Sequence, residues 1–275
     1  MSSEILNWTE SPSIDESIEK YEFHEYEPIA GKNLNEPGDI RINIELQDLM
    51  THPAESYIQF EGRLTKADGA AYANTDAVAL TNNGLMYLFQ RITYQLSNQE
   101  IESVYNPGQA TTMLGMLKYP DDFAKAQGLN QLWTKDTTAT AVIAENTGFA
   151  VRQAHLIRKP TVKGTFSFIV PLKHIFGFCD DYDKIVYGFK HTLTLVRQSD
   201  DDAIFRANAA GAGKVHIDRI SWFMPHVDPA DMAKMQLYKT IETKVKLPVA
   251  FRARQCETTT VLQSTTFSWR LSVKT

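Results

Sequence analysis

The sequence predicts an all-β fold, a jelly-roll β-sandwich, on three observations. Apolar residues recur at every second position in one segment after another. Aromatic residues make up 11% of the chain, with 14 Phe and 11 Tyr, and such side chains suit a pleated surface better than a long helix. Strand–helix–strand alternation does not appear, which argues against a parallel α/β sheet. A sandwich or jelly roll is the class that remains. At 275 residues and 43% apolar content, the chain can bury the core of one large all-β domain or two smaller ones.

Residues 1–30 are rich in Glu and Ser, including Glu16, Glu19, Glu22, Glu25 and Glu27, and are expected to form an acidic N-terminal tail. The pattern changes after Pro37-Gly38. Ile40, Ile42, Ile44 and Leu46 alternate with Arg41, Asn43 and Glu45, which marks a half-buried strand. Ile58, Phe60 and Leu64 alternate across Gly62, a second strand. Residues 67–79 are small and polar, with a turn signal at Asp68-Gly69. After Asn82-Asn83-Gly84, the run Leu85–Phe89 is either a buried strand or a short helix. Ile92, Tyr94 and Leu96 lead into a Ser97-Asn98-Gln99 turn, and Ile101 and Val104 return, a hairpin signature. Residues 111–117 suit a short helix. Asp121 to Thr147, rich in Ala, Thr and Asn, suits a long insertion loop.

Strands resume at Thr165–Val170 and at His191–Val196, with the apolar His174–Phe178 between them. Ser199 to Asp202 is an acidic turn and Ala207 to Gly213 a small-residue linker. Ile220, Trp222 and Met224 alternate within Lys214–Val227. Asp228 as a cap, Pro229 at the first helical position and Asp231 in the first turn predict the clearest helix of the chain. Met232, Met235, Tyr238 and Ile241 share one face of it, expected to pack into the core. Two late strands are expected, through Val245, Leu247, Val249 and Phe251, with Pro248 at an edge, and through Phe267, Trp269, Leu271 and Val273.

Motifs for chemistry are sparse. The seven histidines, His24, His52, His155, His174, His191, His216 and His226, form no H-x-H or H-E-x-x-H pattern, so no metal ligands are assigned. Cys179 and Cys256 are the only cysteines and are expected to be reduced thiols of an intracellular protein. Asp180, Asp181 and Asp183, and then Asp200, Asp201 and Asp202, form two acidic clusters without EF-hand spacing, expected to be solvated turns rather than calcium sites. Gly211-Ala212-Gly213-Lys214 lacks the spacing of a phosphate loop. Lys239, Lys244, Lys246, Arg252 and Arg254 concentrate positive charge. They suit a solvent face first, and a nucleic-acid or subunit contact second. The net charge of −5 and pI of about 5.8 do not point to a nucleic-acid binder. No apolar run reaches the roughly 18 residues of a membrane span, and the acidic start is no secretory signal. Catalytic, cofactor-binding and metal-binding residues are all assigned as none, and the chain is not expected to be an enzyme.

Three collinear stretches carry a resemblance. They are Asn82–Val104 (NNGLMYLFQRITYQLSNQEIESV), Phe166–Val196 (FSFIVPLKHIFGFCDDYDKIVYGFKHTLTLV) and Val215–Arg254. In their order they resemble the double jelly-roll major capsid proteins of DNA viruses, in particular those of Polinton-like and adintovirus-like elements. The resemblance implies an acidic tail over 1–30 and a first jelly roll over 31–206. It implies a linker, helix and start of a second jelly roll over 207–275, the second roll being truncated. It also implies a structural protein that self-associates into trimeric capsomers of an icosahedral shell. Its partners would be copies of itself and neighbouring capsomers, with a penton or minor capsid protein as a further candidate and no sequence-specific nucleic acid. Its location would be the virion capsid, after synthesis in the host cytoplasm and with the nucleus as a candidate assembly site. The alternatives are a jelly-roll carbohydrate- or protein-binding module, using Tyr105 or Trp133 to stack on sugar, and a cupin-like metal enzyme.

Overall fold

The computed structural model describes residues 17–29, 33–46, 48–159, 162–244, 246, 248–259, 266, 268 and 269. In chain order the strands and helices are β1 (Ile18–Tyr26), β2 (Gly38–Ile44), β3 (Met50–Thr51), β4 (Tyr57–Lys66), β5 (Val78–Leu80), β6 (Phe89–Leu96), β7 (Gln99–Tyr105), α1 (Pro107–Lys118), α2 (Thr147–Leu156), β8 (Thr165–Pro171), α3 (Gly177–Asp181), β9 (Val186–Tyr187), β10 (His191–Arg197), β11 (Ile204–Arg206), β12 (Gly213–Pro229) and α4 (Asp231–Glu242).

The alternating segments build two antiparallel sheets. In one, β12 is central. Trp222 pairs with Ile58 of β4 along one edge and with Tyr26 of β1 along the other. β8 extends this sheet beyond β4, and the short β3 and β9 continue it past the end of β4. The second sheet has the order β2-β10-β6-β7. Among the eight long strands the first pairs with the last (β1 with β12), the second with the seventh (β2 with β10), the third with the sixth (β4 with β8) and the fourth with the fifth (β6 with β7). That nesting is one long hairpin rolled up, with β12–β4 and β10–β6 closing the roll laterally. It is an eight-stranded jelly roll.

Period two decides which side chains fill it. Ile40, Ile42, Ile92, Tyr94, Leu193 and Leu195 of one sheet face Ile58, Phe60, Phe168, Val170, Trp222 and Met224 of the other, and all are buried. Tyr94 meets Trp222 edge-on across the gap, ring centroids 6.1 Å apart. The expected hairpin forms as β6 and β7, and its turn residues Ser97 and Asn98 both take positive φ, 45° and 69°, as the twist of a tight hairpin requires. Leu85–Leu88, which alternation leaves open between strand and helix, is a buried helical turn.

Several expectations change. Residues 18–26 of the acidic segment are a strand, β1, because its backbone completes the free edge of β12 even though its side chains stay exposed. Residues 1–16 of that segment lie outside the described residues. The jelly roll does not end at 206. Residues 213–229, assigned by sequence to the linker and the second unit, are its central strand β12. The long loop over 121–147 is instead a packed insertion, in which Leu132 and Trp133 are buried. The helix expected at Asp228 begins at Asp231. Pro229 is still paired with Ile18 of β1, and Asp228 accepts from Lys234 rather than capping. Of the first late strand, the described residues 248–251 run without strand pairing, and Val245 and Leu247 lie outside the described residues. Phe267, Leu271 and Val273 of the second lie outside them too. Among the described residues no strand follows β12.

Candidate functional site

The candidate chemical residues are placed as structure. His191 is almost wholly buried. The Tyr94 hydroxyl lies 2.7 Å from its Nδ1, Thr51 Oγ1 lies 3.0 Å from its Nε2, and Thr51 in turn donates to the Val186 carbonyl. Burial lowers its pKa to about 4, so it is a neutral core histidine at pH 7. His174 is similar: Gln131 Oε1 lies 2.8 Å from Nδ1, and burial lowers its pKa to about 4. His52 bridges Tyr21 and Asp183. His24 stacks on His226. His155 is exposed and His216 half-buried on β12. Among the described residues, no three His, Cys, Asp or Glu side chains converge as metal ligands. Cys179 and Cys256 are free and buried, and burial pushes the Cys179 thiol well up. Gly213 and Lys214 belong to β12, with Lys214 opposite Thr65, so no phosphate cradle forms there.

The two acidic clusters serve as anchors. Asp200 accepts from Arg197 and from the Val215 N–H at 2.9 Å, tying the end of β10 to the start of β12. Asp180 and Asp181 meet the basic cluster expected on a solvent face. Asp181 takes a two-pronged contact from Arg252, 2.9 Å from Nε and 2.6 Å from Nη2, and the Arg252 guanidinium holds its carboxyl far below the usual carboxylate range. Asp180 accepts from Lys118 at 2.6 Å and from Arg254 at 2.8 Å. Between them Glu102, on β7 and 3% exposed, accepts the backbone N–H groups of Phe178 at 2.9 Å and Arg254 at 2.6 Å. Burial raises its pKa despite those donors. These contacts clasp the extended segment 248–259 against α3. Lys239, Lys244 and Lys246 remain exposed, so the five cations form no single basic face.

Nothing in the sequence singled out Glu102 or Arg152. Arg152 is fully buried and donates to the Leu80 carbonyl at 2.9 Å and to Asp136 at 2.5 Å, which fixes the insertion onto the roll. An i, i+3 or i, i+4 rule cannot find either residue, because their partners lie 16 to 152 residues away. Trp133 is 1% exposed and packs edge-on to Tyr119 at 5.0 Å, so it anchors the insertion and is not offered to a ligand. Tyr105 is exposed beneath Arg91, whose guanidinium carbon is 5.7 Å from the ring centroid.

What the surface does offer is apolar. α1 turns its small residues inward. A Cβ on Gly115 would come within 2.3 Å of the Trp133 ring, and one on Gly108 within 2.5 Å of Tyr87. Its large residues Met113, Met116 and Leu117 face out, with Leu117 89% exposed. This is the reverse of a surface helix on a single domain. α4 repeats the inversion. Met232, Met235, Tyr238 and Ile241, expected in the core, are all exposed, Met232 at 76%. Only Ala233, Lys234 and Leu237 turn partly inward, because the helix rests on the end of the sheet with one narrow stripe. On β1, Tyr21 and Phe23 are exposed, and Phe23 leads to the stacked pair Tyr57 and Phe223. Exposed apolar patches of this kind mark contact surfaces. No helix among the described residues is long and apolar enough to cross a membrane.

Comparison with known proteins agrees with the jelly-roll fold. No curated protein sequence matches the chain. Its fold is similar to that of a chain of the Sputnik virophage solved by cryo-EM, with a TM-score of 0.57 at 9% identity, over 82% of this chain and 51% of that one. The Faustovirus major capsid protein aligns with a TM-score of 0.48 at 10% identity, over 80% of this chain and 56% of that one. The mavirus major capsid protein aligns with a TM-score of 0.45 at 13% identity, over 83% and 50%. The chain thus spans about half the length of the solved structures it matches. The family model described as the double jelly roll-like domain matches residues 78–275, most of the chain and all of the roll from β5 onward. The chain belongs to the double jelly roll-like domain family.

Proposed function

We propose that this chain is a structural subunit of a viral capsid, one that self-associates into trimeric capsomers. The observation that carries this reading is the inversion of α1: Gly108 and Gly115 are inside, and Met113, Met116 and Leu117 are outside. A helix built that way gains nothing for the isolated domain from its large side chains. It gains on association, when those side chains leave water at roughly 25 cal/mol per Å². The exposed stripe of α4 adds a second such surface, and membership in the double jelly roll-like family supports the capsid role. Asp180, Asp200, Glu102, His174, His191 and Arg152 fit the same reading, since each is engaged in an internal contact.

Sedimentation velocity of the full chain over a rising concentration series tests the proposal. The expected species has three times the mass of the 31.1 kDa chain. A monomer at every concentration overturns it.

A further inference from the structure

β1 is held differently from the other long strands. Every residue from Ile18 to Glu25 is exposed, so burial contributes little and the ladder to β12 is supplemented by side chains along the seam. In the middle of that seam His24 and His226 lie face to face, ring centroids 4.0 Å apart and planes 13° from parallel. The register explains the contact. His24 is opposite Met224 and His226 is opposite Glu22, so the two rings are diagonal neighbours on one face. His226 Nε2 also lies 2.9 Å from the Tyr26 hydroxyl.

The groups around the pair leave it poorly compensated. Glu22 is 3.7 Å from His24 but is already tied to Lys20 at 2.8 Å. Asp228 of β12 is tied to Lys234 of α4 at 3.1 Å. Asp48, ahead of β3, and Tyr238 of α4 line the same cleft. His191 of β10 approaches His226 from the core side. One carboxylate therefore touches one ring, and it shares its charge with a lysine.

We propose that the stacked His24–His226 pair makes the β1–β12 seam acid-labile. As pH falls, the stack disfavours a proton on His226 while β1 is attached, so β1 peels from its sheet and the 222–229 edge of β12 opens to another strand. An open edge of this kind is a template for pairing with a second chain. Burial, with the neighbouring His24 as a second cause, lowers the pKa of His226 to about 4. With β1 gone, His226 stays on β12 but loses the cover of β1 and the stacked His24, so its pKa rises toward the ordinary value of about 6.5. The peeled state therefore binds protons more tightly, and between those limits the attached state loses up to about tenfold in relative population per pH unit. Solvent at this half-buried site screens part of that. His52 holds β1 independently of the pair: it lies 2.6 Å from Asp183 and 3.0 Å from the Tyr21 hydroxyl of β1.

Hydrogen exchange of the full chain near pH 7.5 and 5.5, corrected for the intrinsic pH dependence of exchange, tests the switch. The expected result is a loss of protection of about tenfold over residues 20–26 at the lower pH, while β4, β6 and β10, which open only with the whole fold, stay better protected than β1 at both pH values. A His24→Phe/His226→Phe variant, which keeps stacked rings without the charge, is expected to lose that response. Unchanged protection of β1 in the native sequence overturns the proposal, and so does exchange of β1 at the same rate as the core strands, which means it opens only with the whole fold. Acid lability that persists undiminished in the double variant overturns it as well.

Discussion

Glu102 and Arg254 are 152 residues apart in the chain, yet the Arg254 backbone N–H donates to Glu102 Oε1 at 2.6 Å. The other carboxylate oxygen accepts the Phe178 N–H at 2.9 Å. One buried carboxylate on β7 thereby joins α3 to the segment 248–259. Glu102→Gln sets an amide NH2 against one of those two N–H donors. The expected cost is about 2 kcal/mol, the scale for a buried donor left without its acceptor. Urea denaturation measures it, and limited proteolysis is expected to cut within 248–259 first. A Glu102→Gln protein with native stability and an uncut segment removes Glu102 from this role.

His191 and His174 carry the acid sensitivity of the core. Both are neutral in the folded chain, with pKa values lowered to about 4 by burial. In the unfolded chain an imidazole takes up its proton near about pH 6.5. Stability is therefore full above about pH 6.5 and falls as pH drops toward 4, by up to about 3 kcal/mol for each such group. His191→Gln keeps polar atoms near Thr51 and Tyr94 and removes the titration. It is expected to be less stable than the native chain at pH 7.5 but to lose less between pH 6.5 and 4.5. Parallel slopes for the two proteins in that window count against His191 as the titrating group.

The roll was legible in the sequence wherever period two was clean. Ile40–Ile44, Ile92–Leu96 and Ile220–Met224 all became core strands with the expected face inward. Two strands differ from the sequence reading, each for its own reason. β1 reads as a charged tail because its stabilisation lies in backbone hydrogen bonds to β12, which leave no hydrophobic pattern. β12 was credited to a second unit because only pairing partners, Leu64 and Ile58 among them, reveal which sheet a strand joins. The helix α4 was legible as a helix, but its Met stripe was assigned to the core on periodicity alone. Periodicity shows that a face is apolar and not which body covers it. The clasp at Glu102 and the anchor at Arg152 were out of reach, since each joins residues with no local spacing.

Gly62 sits in β4 directly against β12. A Cβ there would stand 2.2 Å from the His216 carbonyl oxygen and 2.8 Å from the Phe166 ring. The first neighbour is backbone of the central strand and cannot turn aside. Gly62→Ala is therefore expected to spread the β4–β12 ladder and cost about 3 kcal/mol or more, beyond the range of an ordinary point substitution. Thermal unfolding checks this, and a Tm within a degree or two of the native value sinks the close-approach reading. The neighbouring Gln59→Ala, with its side chain on the outer face, is the control and is expected to shift Tm little.

Met116 and Leu117 separate assembly from folding. Both point away from the Trp133 side of α1, and Leu117 is 89% exposed. A charge there costs the isolated domain little, within about 0.5 kcal/mol for an exposed helix position. Between subunits the same charge would be buried without a partner, which is strongly unfavourable. Met116→Glu/Leu117→Glu is thus expected to unfold at the native denaturant midpoint while its sedimentation shifts to the monomer. Asp121→Lys, at an exposed site just after α1, is expected to leave the oligomer intact. If the double variant still sediments as the native oligomer, α1 is not the contact, and the exposed stripe of α4 through Met232 and Met235 becomes the surface to alter next.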